Sequence, residues 1–299
     1  MSFFTRWFGR WGHSTPIPRT GSVTCLDTRG CHRMAYTEWG DQDNPSVVVC
    51  VHGLTRNGRD FDELAQALAR EHRVVCPDVI GRGRSDWLAG PEEYVIPRYM
   101  ADMVTLLARL DVASVDWVGT SMGGLIGMSL AALRNSPIRR LVLNDVGPFI
   151  EGAALRRIGE YVGKAPLFDS IDAAEIYLRR VCEGFGPMDD EAWARLTRRS
   201  LQARPDGRWM MAYDPAIATP FKTAFVLPNV DLWPLYDQIG CPTRVLRGER
   251  SDVLSREVMQ QMGERGPRAQ GIEIPGVGHA PTLMTPDQIA IVREFLTHS

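Results

Sequence analysis

The chain has 299 residues, a formal net charge of −2 and a hydrophobic share of 44%, which suits one large α/β domain or a core with a smaller insertion. Near-balanced charge gives no argument for a nucleic-acid or acidic-polymer partner. The longest apolar runs, such as Val47 to Val51, fall far short of the roughly 20 residues that span a bilayer.

Residues 1–20 carry Phe3, Phe4, Trp7, Phe8 and Trp11 among Arg6 and Arg10, with most aromatics on one helical face. Two readings follow: attachment to a lipid or polymer surface, or an arm docked on its own domain or on a second copy in a homo-oligomer. The stretch lacks the apolar region of a signal peptide. Six cysteines, at 25, 31, 50, 76, 182 and 241, show no C-x-x-C spacing. Free thiols in a reducing cytoplasm are expected, and no metal cluster.

From Gly21 onward, strands and helices alternate. Val23–Leu26 and Arg33–Glu38 predict an antiparallel hairpin. Strands follow at Ser46–Val51, His72–Pro77, Ser114–Val118 and Ile138–Asn144, with helices at Phe61–Arg70 and Tyr94–Leu110. Such alternation implies a mostly parallel sheet covered on both faces. The alternation stops near Gly147. Helices are expected at Leu155–Val162, Ala173–Glu183 and Asp190–Ser200, in text punctuated by Phe149, Trp193, Trp209, Met210, Met211, Tyr213, Phe221, Phe225 and Trp233. Alternation resumes with Thr243–Arg247, Arg256–Gly263, Gly271–Ile274 and Gln288–Leu296. The chain therefore divides into an arm (1–20), a first core segment (21–147), a helical cap (148–235) and a second core segment (236–299).

Gly119-Thr120-Ser121-Met122-Gly123 joins a predicted strand to a predicted helix. Glycines two residues either side of Ser121 suit a backbone too tight for side chains, and the turn lifts the serine hydroxyl to a sheet edge. A serine hydroxyl needs a base. Of the histidines at 13, 32, 52, 72, 279 and 298, His279 sits in a glycine loop after the strand Gly271–Ile274. Sites of open α/β sheets form at such strand ends. The base needs an acid to fix its tautomer. Asp252, after the strand Thr243–Arg247, is preferred; Asp145, after Ile138–Asn144, is the main rival, and Asp78 and Asp86 are weaker ones. The backbone N–H groups of Leu54 and Met122 are candidate oxyanion donors. His52 is expected to brace the Leu54 loop. Phe149, Trp209, Tyr213 and Trp233 are candidate pocket walls. Arg56 either meets the substrate or forms an ion pair.

The order Ser121…Asp252…His279, the His52-Gly53 loop, the Asp78-x-x-Gly81-x-Gly83-x-Ser85 loop and the Gly276–Pro281 segment together resemble the α/β-hydrolase superfamily. The resemblance spans about residues 33–299. It implies an eight-stranded, mostly parallel sheet, a cap between the sixth and seventh strands, and an acyl-enzyme route with no cofactor or metal. By position it makes Ser121 the nucleophile, His279 the base, Asp252 the acid, and Leu54 and Met122 the oxyanion donors. A serine nucleophile argues against haloalkane dehalogenases and epoxide hydrolases, and Leu54 after Gly53 argues against H-G-G-G lipases. The expected activity is hydrolysis of a small ester, lactone or hydroxyacid oligomer. The alternatives are cleavage of a C–C bond beside a ketone, acyl transfer or perhydrolysis, and a non-catalytic ligand-binding module.

Overall fold

The computed structural model describes residues 17–222 and 229–298. The aromatic positions of the N-terminal arm, and Phe225, lie outside the described residues.

Eight strands form the central sheet: β1 (Arg19–Asp27), β2 (Gly30–Trp39), β3 (Val47–Val51), β4 (Arg73–Pro77), β5 (Val115–Thr120), β6 (Ile138–Asn144), β7 (Thr243–Gly248) and β8 (Gln270–Ile274). Their spatial order is β1-β2-β4-β3-β5-β6-β7-β8. β2 pairs antiparallel with both β1 and β4, and the remaining pairings are parallel. β1 begins at Arg19, whose guanidinium donates to Glu38 on β2, so the hairpin takes in the end of the expected arm.

β-branched residues buried on both faces account for the central strands. Val47, Val49 and Val51 enter one core with Trp117, whereas Val48 and Cys50 enter the other with Val118. α1 (Asp62–Leu68) and the C-terminal helix Pro286–His298 cover the second core, through Leu64, Leu68, Val292 and Phe295. α2 (Ile96–Leu110) and α3 (Met122–Ala131) cover the first, through Tyr99, Met103, Ile126 and Met128.

Between β6 and β7 the chain builds α4 (Gly152–Tyr161), α5 (Ile171–Val181) and α6 (Asp190–Ser200). Side-chain oxygens of Ser170 and Asp189 accept the amides of Ala173 and Ala192 and start α5 and α6. The segment is less helical than its sequence suggests. Leu167–Phe168, Trp209–Met211 and Leu201–Ala203 make a small antiparallel sheet, and Phe149–Ile150 pairs with Val230–Asp231. These strands are too short to show a period-two pattern. Among the described residues, no helix is long and apolar enough to cross a membrane.

Candidate active site

Ser121 sits between β5 and α3 with φ 50° and ψ −113°, a conformation that L-residues avoid unless their surroundings impose it. Here the glycines on either side permit the close packing that holds it. A Cβ on Gly123 would collide with the Val51 carbonyl oxygen, and one on Gly119 would collide with Gly123. The Trp117 indole N–H donates to the Gly123 carbonyl at 3.0 Å and braces the same turn. The result aims Ser121 Oγ out of the sheet edge at the first amides of α3.

His279 reaches the serine from the loop after β8. Its Nε2 lies 3.0 Å from Ser121 Oγ, and its Nδ1 lies 2.7 Å from Asp145 Oδ2. A carboxylate at Nδ1 holds the proton there and leaves Nε2 free to accept from the serine hydroxyl. The loop is fixed by its backbone: Gly278 N–H donates to the Gly184 carbonyl, Arg250 N–H to the Val277 carbonyl, and Gly276 N–H to the Glu249 side-chain carboxylate.

The acid facing His279 is Asp145 and not Asp252, which corrects the sequence expectation. Asp145 is fully buried. Oδ1 accepts the Gly248 N–H at 2.7 Å, and Oδ2 accepts the Ser251 hydroxyl at 2.6 Å besides the imidazole. Thus the end of β7, adjacent to β6 in the sheet, and the turn after it supply donors to an acid just past β6. Asp252 lies one residue beyond the turn closed by Ser251 N–H and the Gly248 carbonyl. Its carboxylate is about half exposed and accepts from Arg157 of α4 at 2.8 Å. Both aspartates follow parallel strand ends, so strand position alone did not separate them. The rivals Asp78 and Asp86 hold their own loop: Asp78 accepts the Gly58 and Arg84 amides, and Asp86 that of Arg33.

Leu54 and Met122 line the same cavity as Ser121 and His279. Met122 is the first residue of α3, so its N–H has no acceptor within the helix. The Leu54 N–H donates to no backbone carbonyl among the described residues. Two residues hold this loop. His52, fully buried, donates from Nδ1 to the Gly53 carbonyl at 2.7 Å and accepts the Val79 N–H at 2.9 Å on Nε2. Burial pushes its pKa down to about 4, so it stays neutral as a brace. Arg82 was not singled out from the sequence. Fully buried, it donates to the Leu54 carbonyl at 2.9 Å, to Ile80 and to Tyr99, and lies over the Tyr94 and Tyr99 rings.

The cavity has a volume of ≈ 320 Å³ and is lined chiefly by apolar and aromatic groups. Of the expected wall residues, Tyr213 lines it, with its hydroxyl donating to the Lys164 carbonyl. Phe149, Trp209 and Trp233 do not. Phe149 and Trp209 belong to the short strands, and Trp233 packs edge-on against Tyr236 beneath Arg265. The walls are instead Leu155, Ile158 and Tyr161 of α4, Tyr177, Leu178 and Val181 of α5, and Phe185. The spacing of Leu155, Ile158 and Tyr161 on α4, and of Tyr177 or Leu178 to Val181 on α5, was a usable signal for one helix face.

Arg56 forms an ion pair, but inside the cavity wall and not at the surface. It lines the cavity while gripping Asp60 through Nε (2.8 Å) and one terminal nitrogen (2.6 Å), and its other terminal nitrogen donates to Ser200. Burial pulls its pKa down, but the Asp60 charge and hydrogen bonds outweigh that and hold it above the ordinary value. Cys182 also borders the cavity; burial pushes its thiol up to about 11, so it is no competing nucleophile. Among the described residues, Cys25, His32 and Asp102 form one cluster with metal-ligand chemistry. It lies between β1, β2 and α2, apart from the cavity, and His32 already bridges Asp27 and Asp102.

Residues 48–291 match the model of the alpha/beta hydrolase family. The chain is 49% identical over 287 residues to a 3-hydroxybutyrate-oligomer hydrolase of Cupriavidus necator, covering 94% of this chain and 98% of the relative. A solved structure from Rickettsia typhi aligns with a TM-score of 0.88 and 32% identity, over 95% of this chain and 99% of that one. An alpha/beta hydrolase of Novosphingobium aromaticivorans aligns with a TM-score of 0.83 and 37% identity, again over 95% and 99%. On the sheet order, the turn at Ser121 and these matches, the chain belongs to the alpha/beta hydrolase family and is a hydrolase.

Proposed function

We propose that the protein hydrolyses the ester bonds of short 3-hydroxyacid oligomers through an acyl-enzyme on Ser121. The observation that carries the chemistry is the unbroken hydrogen-bonded chain from Ser121 Oγ through His279 to buried Asp145, opening onto an apolar cavity. The substrate class is supported by the Cupriavidus necator relative, which matches along nearly the whole of both chains.

In this mechanism His279 takes the Ser121 proton as Oγ attacks the ester carbonyl. Asp145 stabilises the imidazolium. The oxyanion settles on the Leu54 and Met122 amides, each donor contributing about 3–4 kcal/mol. His279 then protonates the departing alkoxide oxygen, releasing the alcohol, and water releases the acyl group by the same route. Segment 148–235 acts as a cap whose aromatic and aliphatic side chains hold methyl-branched units and exclude water. The six free cysteines suit work in a reducing cytoplasm.

The test is hydrolysis of 3-hydroxybutyrate dimer and trimer by wild type and Ser121→Ala, with monomer quantified by chromatography. Monomer from wild type and none from Ser121→Ala is expected. Wild-type enzyme that leaves the oligomers intact, or a Ser121→Ala variant that cleaves them at the wild-type rate, contradicts the proposal. A vinylogous diketone run in parallel separates C–C bond cleavage, and added alcohol or peroxide separates acyl transfer.

A further inference from the structure

Only Arg56, Asp60 and Arg157 carry formal charge among the Asp, Glu, Lys and Arg residues that line the cavity, among the described residues. The first two are paired with each other inside the wall. Arg157 differs in three ways. It stands at the mouth, with its side chain about half exposed. Its partner Asp252 is not itself a lining residue and is equally open to water. The pair joins α4, which lends Leu155, Ile158 and Tyr161 to the cavity, to the loop after β7, which lends Val253.

These differences decide which cation can serve a ligand. Taking Arg56 from Asp60 would strand a carboxylate in a largely buried wall, a costly change. Releasing Arg157 leaves Asp252 to water, and exposed ion pairs of this kind contribute little. Arg157 is therefore the exchangeable cation of the site.

Resting on the function proposed above, the substrate has two unlike ends. A hydroxyacid oligomer carries a hydroxyl at one end and an ionised carboxylate at the other. When Ser121 attacks an ester bond, the acyl half ends in the hydroxyl and the leaving half carries the carboxylate. The acyl half fits the apolar interior beside Tyr161, Tyr177 and Phe185. A carboxylate is expensive to bury without a partner, so the leaving half extends towards the mouth.

We propose that Arg157 recognises the terminal carboxylate of the leaving group, exchanging its pairing with Asp252 for the substrate at the cavity mouth. The guanidinium offers a planar fork to the incoming carboxylate. Asp252 is then an internal competitor: it keeps the fork occupied when the site is empty and selects against ligands with no anionic end. The loop carrying Asp252 would thus set substrate polarity instead of acting on the histidine.

The test compares kcat/KM for 3-hydroxybutyrate trimer as the free acid with that for its methyl ester, using p-nitrophenyl butyrate as a reference for the chemical step. Wild type should prefer the acid by about tenfold, the scale of one charge-assisted contact at a partly exposed site. Arg157→Gln should lose that preference and Arg157→Lys should keep part of it. Asp252→Asn should increase it. A merely structural latch predicts that Arg157→Gln and Asp252→Asn shift the preference alike, so the opposite signs separate recognition from cap anchoring. Oligomer turnover with no acid preference, a preference retained in Arg157→Gln, or like signs in the two variants overturns the inference alone. Wild type that cleaves the aryl ester but neither oligomer overturns the oligomer reading and the inference with it.

Discussion

Replacing Asp145 by Asn tests the acid assignment with little change in volume. The native carboxylate only accepts: the Gly248 N–H at 2.7 Å, the Ser251 hydroxyl at 2.6 Å and the His279 Nδ1–H at 2.7 Å. An amide has one acceptor and one donor group, so it cannot reproduce this set. With its oxygen towards Gly248, the NH2 faces His279 and forces the proton onto Nε2, where the ring cannot take the serine proton. With its oxygen towards His279, the NH2 meets the Gly248 N–H, leaving two donors opposed in a buried site. The first orientation is the lesser cost, and the wrong tautomer follows. Loss of the acid in this manner reduces kcat by about 10⁴-fold, or about 5.4 kcal/mol at 1.36 kcal/mol per factor of ten. The assay is p-nitrophenyl butyrate hydrolysis by wild type, Asp145→Asn and Asp252→Asn, with thermal unfolding as the control for folding. Asp252→Asn should not show the collapse, because that carboxylate meets Arg157 in water. Near-wild-type turnover by Asp145→Asn, together with collapse in Asp252→Asn, refutes the reasoning.

Gly123→Ala should fail to reach wild-type thermal stability by a wide margin, because its Cβ meets the Val51 carbonyl, whereas Gly53→Ala should fold normally, since its nearest contacts are at an ordinary 3.8 Å; equal melting temperatures would contradict the packing account. Arg82→Met should lower kcat more than it raises KM, because removing the donor to the Leu54 carbonyl loosens the loop that carries the proposed oxyanion donor, with a loss approaching about 3 kcal/mol as its limit; a pure KM effect would contradict this. His52 titrates at about 4 in the native state against 6.5 ordinarily, through burial. Unfolding therefore takes up a proton in that window, so stability is full above pH 6.5 and falls as pH drops towards 4, by roughly 3 kcal/mol. Urea denaturation of wild type and His52→Gln across this range should show a shallower acid decline in the variant, and parallel declines would remove the assignment.

Much of the sheet was legible because Val47–Val51 is a continuous apolar run and Leu141–Leu143 a shorter one, and because Gly119 and Gly123 leave room for a turn too tight for any side chain. The choice of acid was not. Asp145 and Asp252 each follow a parallel strand, and the deciding facts are three-dimensional. At Asp145 the backbone turns through φ 57°, which points its carboxylate inwards, and the adjoining strand's last residue Gly248 and Ser251 in the turn after it receive it. The pocket walls were misread for a related reason. Trp209, Phe149 and Trp233 are large and apolar, but size does not reveal which way a short strand, or the short helix that Trp233 begins, faces its side chains. The α4 and α5 residues at helical spacing carried that information.

The most direct measurement is intact and peptide-level mass spectrometry after brief exposure to a fluorophosphonate, across wild type, Ser121→Ala, Asp145→Asn and Asp252→Asn. A single adduct is expected on the peptide containing Ser121, rapid in wild type and Asp252→Asn, strongly slowed in Asp145→Asn and absent in Ser121→Ala. An adduct on another residue, or undiminished labelling when Asp145 is replaced, would contradict the roles given to Ser121 and Asp145.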